Sequence, residues 1–236
     1  RKLCNTCALM FFRFSPFIAA FLLASSASAF AAGFDACPQF FAGKPPSTTH
    51  YGQLRSLCFE EFAVLHSGQT KTPIFVAQRL NAKTLNKAKD LKRSDKFYEE
   101  ARLPEAERAL LSDYRRSGYS RGHMAAAGDM GTKFGKAQSY SLANMVPQDP
   151  TQNGKPWSQI EQDTRRYIRR SHGDVYVITG PVFDNKPRTI GEGQVWVPDA
   201  VFKIVYDPST NQRWVHLQKN DPATRADKPI SYEEFV

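Results

Sequence analysis

The chain predicts an α+β fold, and three observations carry that expectation. Residues 175–179, Val-Tyr-Val-Ile-Thr, form a continuous apolar run that suits a central strand. Trp157, Ile160, Thr164, Tyr167 and Ile168 recur at helical spacing within residues 156–171, as in a helix with one buried stripe. Strand and helix signals are otherwise mixed, without the regular alternation of a parallel α/β protein.

Taken in order, residues 30–56 are rich in Pro, Gly, Ser and Thr and read as an extended arm. Residues 59–65 and 73–80 read as strands joined by a turn at Ser67-Gly68, with Ile74, Val76 and the stem of Gln78 on one face. The basic stretch 81–92 suits a short helix. Pro104, Glu105 and Glu107 place proline and acids in the first turn of another helix, which Ala109, Leu110, Leu111 and Tyr114 continue and Gly118 stops. Residues 140–146 alternate and run into Pro147, so they read as a strand. The helix over 156–171 carries Arg165, Arg166, Arg169 and Arg170 away from its apolar stripe, most simply as a solvated face, and Gly173 ends it. After 175–179, two more strands are expected at 200–206 and 213–217, joined by a turn at Asp207-Pro208-Ser209. A polar tail from Lys219 ends in a short helix.

The N-terminal order is basic, apolar, then small: Arg1, Lys2 and Arg13, a run over 14–23 broken by Ser15 and Pro16, then Ala27-Ser28-Ala29. This reads as a signal peptide over 1–29 and makes a secreted or periplasmic location the expectation. The apolar run is shorter than the roughly 20 residues of a membrane span, so the mature form is expected to lack an anchor. Removing 1–29, with three basic residues and no acidic one, takes the net charge from +9 to +6. That balance suits a polyanionic partner without naming one. Cys37 and Cys58 remain once Cys4 and Cys7 are gone. In an exported chain they suit one disulfide pinning an arm over 30–58, the alternative being two free thiols, with the domain proper over 59–236. No Cys/His cluster has zinc spacing.

The chemistry-bearing residues gather around Ser120-Arg121-Gly122-His123, with Asn144 and Asn153 downstream. Histidine takes a proton from water near neutral pH, so His123 is a candidate general base. Arg121 offers a planar fork to a phosphoryl oxygen, and Gly122 leaves the backbone room to approach one. Arg93, in a basic loop, is a second candidate for that charge, or one more solvated cation. Asn153 offers a hard neutral oxygen suited to a hydrated Mg²⁺, although Gln152-Asn153-Gly154 is also good turn chemistry. On a regular helix Glu161, eight residues on, stands about 12 Å away but faces nearly the same side. It therefore suits a role in holding the ion's waters, or is simply a solvated position. Asn144 suits an orienting hydrogen bond to the base or the phosphate, or a strand-end role. His50, His66, His172 and His216 lack such company.

These residues, with several further blocks in order, resemble the DNA/RNA non-specific endonuclease family, whose active site is a ββα-metal (His-Me) finger. The blocks are Arg121-Gly122-His123-Met124-Ala125, residues 142–148, the spacing of Asn153, Trp157 and Glu161, and the runs 176–183 and 197–203. The resemblance covers about residues 73–217. It implies a largely antiparallel central sheet flanked by helices, with His123 on a strand and Asn153 at a helix start. It also implies a Mg²⁺-dependent endonuclease, with Mn²⁺ able to substitute, that cuts DNA and RNA through the phosphate backbone. His123 would be the base, Asn153 the direct metal ligand, Glu161 the holder of the metal's waters, and Asn144 a support to base and phosphate. Arg93 and Arg121 would stabilise the phosphoryl charge. One departure stands out: Ser120 occupies the family's usual Asp position, and serine supplies a hydrogen bond but no charge. The competing expectation is a secreted nucleic-acid-binding protein without catalysis, and a homodimer is left open.

Overall fold

The computed structural model describes residues 33–236, so the segment 1–29 read as a signal peptide lies outside the described residues. The elements are β1 (Leu54–Cys58), β2 (Ala63–Ser67), β3 (Thr72–Leu80), α1 (Ala82–Ala88), α2 (Leu111–Tyr114), β4 (Ser120–His123), α3 (Lys133–Gln138), β5 (Met145–Gln148), α4 (Pro150–Gln152), α5 (Ser158–Ile168), β6 (Val175–Val182), β7 (Arg188–Ile190), β8 (Val195–Val197), β9 (Ala200–Asp207), β10 (Gln212–Lys219) and α6 (Tyr232–Phe235). Six strands form one sheet in the order β1-β2-β3-β6-β9-β10, and every neighbouring pair is antiparallel. The α+β expectation holds.

Side chains alternate across a strand, so each face of this sheet packs against a different layer. Val64, Val76 and Val201 face a core completed by Met124, Val146, Trp157 and Ile160. These come from the β4–β5 pair and the helix that follows it, which seats the candidate site on this face. Ala63, Leu65, Phe75 and Ala77 face the other way, against Phe34, Cys37, Phe40 and Phe41 of the N-terminal arm. Each buried phenylalanine contributes roughly 1.5–3 kcal/mol.

The arm is tied by a Cys37–Cys58 disulfide with Cα atoms 5.8 Å apart. Closing that 21-residue separation stabilises the fold by about 3 kcal/mol on the chain-entropy account. The arm also ends earlier than a boundary at 58 implies, because Leu54–Cys58 is the edge strand of the sheet.

Three elements depart from expectation. Residues 140–146 are not one strand: a 3₁₀ turn, Leu142–Asn144, precedes β5. Ser141 caps that turn by accepting from Ala143 N. The helix expected after Pro104 is a 3₁₀ turn, Glu105–Glu107, and then the single turn α2. The helix expected from 156 begins earlier. Asp149 accepts from Thr151 N and Gln152 N with Pro150 at the first helical position, so α4 starts there. Pro156 lacks an N–H and cannot complete an i→i−4 bond. The chain accommodates it with a π turn, Asn153–Trp157, before α5.

Candidate active site

The site stands on β4, β5 and the π turn. β4 pairs antiparallel with β5, placing Ser120 opposite Gln148 and His123 opposite Met145. Gly122 is buried between them, and a Cβ there would lie 1.9 Å from Gln148 Oε1 and 2.7 Å from Gln148 Cβ. The glycine is therefore required by the close approach of Gln148, not by a phosphate at the backbone as the sequence suggested. Gln148 is in turn held by donating to Gln152 Oε1 at 2.5 Å. Gly122→Ala is expected to cost about 1–3 kcal/mol by overpacking, a drop of roughly 2–4 °C in Tm per kcal/mol for a domain of this size. An unchanged melting temperature would show that Gln148 moves aside freely.

His123 ends β4. Its ring stands edge-on to Tyr140 at 5.1 Å and tilted to Phe97 at 5.7 Å. Nε2 is enclosed without a hydrogen-bond partner, which leaves Nδ1 as the nitrogen to meet a ligand. Burial, then the Arg93 charge, pushes the pKa down to about 3. Asp95 opposes this and Arg121 adds to it. The imidazole is thus neutral at neutral pH.

His123, Arg93, Arg121, Asn153 and Glu161 line one cavity of about 460 Å³. Asn153 opens the π turn, and its Nδ2 donates to Ser120 Oγ at 3.2 Å. Ser120 Oγ itself donates to Gln148 O at 2.9 Å. Serine in place of the family's Asp therefore pins the amide end of Asn153 and leaves the carboxamide oxygen free of that contact. Burial raises the Glu161 pKa to about 7; Lys203, Arg165 and Arg93 lower it, and Asp129 raises it. Arg121 stacks its guanidinium 4.1 Å over Phe97. Arg93 is largely exposed and paired with Asp95 at 2.5 Å.

Asn144 does not reach the cavity, which corrects the expectation of a direct bond to base or phosphate. It is fully buried. Its Oδ1 accepts from Ala125 N at 2.9 Å, and its Nδ2 donates to Ala125 O at 2.9 Å and Ser139 O at 2.8 Å. Its backbone oxygen accepts from Met124 N at 3.0 Å. Asn144 thus clamps the chain that leaves His123.

Arg165, read from sequence as part of a solvated face, lines the cavity and pairs with Asp129 at 2.9 Å. A signal was present: Arg165 lies four residues after Glu161 on α5, and residues at that spacing share a helix face. Arg166 and Arg170 are exposed. Lys136 also lines the cavity, with Nζ donating to Leu91 O at 2.7 Å. Nothing in its sequence surroundings announces it. Behind Glu161, the buried Lys203 donates to Thr179 Oγ1 at 2.7 Å, with its ammonium 5.4 Å from the Trp157 ring.

The fold and the sequence match known proteins. A crystal structure described as the EndoG/EndoGI complex superposes with a TM-score of 0.72 at 26% identity, covering 82% of each chain. Human mitochondrial endonuclease G is 31% identical over 75% of this chain and 63% of its own length. Zebrafish mitochondrial nuclease EXOG is 34% identical over 63% of this chain and 47% of its own. The mitochondrial nuclease 1 of Schizosaccharomyces pombe is 29% identical over 69% and 49%. The chain thus spans between about half and two thirds of these relatives. All three are named as mitochondrial proteins, which overturns the secreted or periplasmic expectation. The sequence model of the DNA/RNA non-specific endonucleases matches residues 44–235, and the chain belongs to that family.

Proposed function

We propose that this chain is a metal-dependent endonuclease that hydrolyses phosphodiester bonds of DNA and RNA with little sequence preference. The observation that carries the proposal is a neutral imidazole, an oriented carboxamide, a carboxyl and three arginines on one cavity. A binding protein needs cations at the phosphates but has no use for an enclosed neutral imidazole beside them.

The donor set decides which metal fits. Among the described residues no group of three or more His, Cys, Asp or Glu is placed to hold an ion. A fully ligated transition-metal site is therefore a poor fit, whereas an ion that keeps most of its waters is a good one. Asn153 would hold a hydrated Mg²⁺ through Oδ1, because Ser120 engages its amide end. Glu161 lines the same cavity and its carboxyl makes no hydrogen bond to the described residues, so its oxygens can accept from the ion's waters. When bound, the ion supplies positive charge at the leaving oxygen.

The chain's own residues supply the rest. His123, through Nδ1, takes the proton of the attacking water. Arg121 lines the cavity and its guanidinium is held against Phe97, so it can grip a non-bridging oxygen with little reorganisation. Arg93 adds charge from the rim. Arg165 is neutralised by Asp129 and acts on the charge balance of Glu161 rather than as a free clamp. Asn144 acts through the backbone that follows His123.

Digestion of circular DNA, single-stranded DNA and RNA in parallel, with Mg²⁺ and with chelator, tests the reading. All three polymers should be cut with Mg²⁺ and none with chelator, and binding should weaken steeply with salt, because the handle is the phosphate backbone. Retarded but uncut DNA in the presence of Mg²⁺ would favour a nucleic-acid-binding protein instead.

A further inference from the structure

A second cavity, of about 640 Å³, opens beside the catalytic one, and the two share Arg93, Arg121 and Asn153 as their common wall. Their chemistry differs. No Phe, Tyr or Trp lines the catalytic cavity, whereas Phe97, Leu111, Tyr114 and Tyr119 line its neighbour. Phe97, Leu111 and Tyr119 are the partly buried edge of a core cluster that includes Leu142, Met145 and Val197. Apolar surface is thus presented to solvent next to a phosphate-directed arginine. Arg115, just after α2, adds a further cation to the same wall. The Tyr114 hydroxyl is enclosed there without a hydrogen-bond partner, on a residue only 5% exposed. Asp95 also lines this wall, paired with Arg93, which leaves Arg115 and Arg121 as its unpaired cations among the described residues; aromatic surface beside them exceeds what a phosphate alone requires. It is what a nucleoside between two phosphates requires.

We propose that this cavity is a nucleoside subsite, in which the Tyr119 ring takes the face of the base adjoining the phosphate held by Arg121. The proposal rests on the nuclease reading above. Phe97 is covered by the Arg121 guanidinium at 4.1 Å, whereas the Arg188 guanidinium stands 6.0 Å from the Tyr119 ring, so Tyr119 is the more open ring for stacking. Its orientation is fixed by Arg188, whose Nη1 donates to the tyrosine hydroxyl at 2.9 Å. Arg115 is placed to meet the next phosphate along the strand. Every base has a π face, so such a subsite adds affinity without sequence preference, by about 5- to 150-fold per stacked base.

Binding to the full chain in chelator tests this without any turnover. Thymidine 3′- and 5′-monophosphate and inorganic phosphate are titrated by calorimetry. The tighter of the two nucleotides should bind at least about tenfold more tightly than phosphate. Tyr119→Leu should remove most of that margin, and Tyr119→Phe, which keeps the ring and loses only the Arg188 hydrogen bond, should keep most of it. Leu111→Asp, which sets a carboxylate in the same wall, is the companion variant should Tyr119→Leu fail to fold, and it should lower nucleotide affinity likewise. Equal affinity for nucleotide and phosphate overturns the subsite, as does undiminished nucleotide binding by a folded Tyr119→Leu, or a Tyr119→Phe as impaired as Tyr119→Leu. The two readings fail separately. A chain that binds nucleotide this way but cuts no polymer keeps the subsite and loses the nuclease, and a chain that cuts DNA yet binds nucleotide no better than phosphate does the reverse.

Discussion

His123→Ala is expected to lower plasmid cleavage by at least about 10²-fold while the protein stays folded, because removal of a positioned general base typically costs about 10²–10⁴. The fold should survive, since β4 is held by its pairing with β5 and by Met124 in the core rather than by the ring itself. The same substitution has a signature in stability. The folded pKa of His123 is pushed down to about 3, below the unfolded value near 6.5. As pH falls through 6.5 the unfolded chain binds a proton that the folded chain refuses, so this residue lowers stability on acidification, by up to about 2 kcal/mol at pH 5. His123→Ala should therefore lose less stability than the wild type between pH 7 and pH 5. In catalysis the neutral imidazole is the active form, so no loss of rate should trace to this residue between pH 8 and 6. Denaturant titrations at the two pH values, beside plasmid assays, give both results. Near-wild-type cleavage by a folded His123→Ala would reject the histidine as base.

Much of the fold was legible because its signals are local. The run at 175–179 became the first five residues of β6, and Trp157, Ile160, Thr164 and Ile168 became the buried face of the π turn and α5. What stayed hidden depends on contacts distant in sequence. The helix after Pro104 shrinks to the one turn of α2, where Asp113 accepts from Leu110 N and also from Gly193 N, 80 residues away. Its own turn and a remote loop share that carboxylate, and no periodicity records the second claim. The site shows the same division. His123, Arg93, Arg121, Asn153 and Glu161 are visible as residue types in order and meet on one cavity. Asn144 was visible too, but that its amide closes on the backbone of Ala125 and Ser139 is a tertiary fact. Arg165 hid among four arginines until Glu161 and Asp129 identified which one turns inward.

Asn153→Ala is expected to raise the Mg²⁺ concentration for half-maximal cleavage by at least tenfold. Loss of groups that merely orient a metal's ligands already costs about 10–100-fold in affinity, and here the direct ligand itself would go. Two features make the position hard to replace. The π turn imposed by Pro156 fixes where the side chain leaves the helix, and Ser120 fixes which end of the carboxamide is engaged. A neutral oxygen also leaves the ion its full charge, which the leaving oxygen needs. Calorimetric titration of Mn²⁺ into the protein without nucleic acid separates metal binding from chemistry, and the variant should bind at least tenfold more weakly there too. Glu161, the acidic residue lining the same cavity, is the alternative ligand, and burial raises its pKa. Should Asn153→Ala leave both the Mg²⁺ dependence and the Mn²⁺ affinity unchanged, the ion is held elsewhere, and the amide pinned by Ser120 has another purpose.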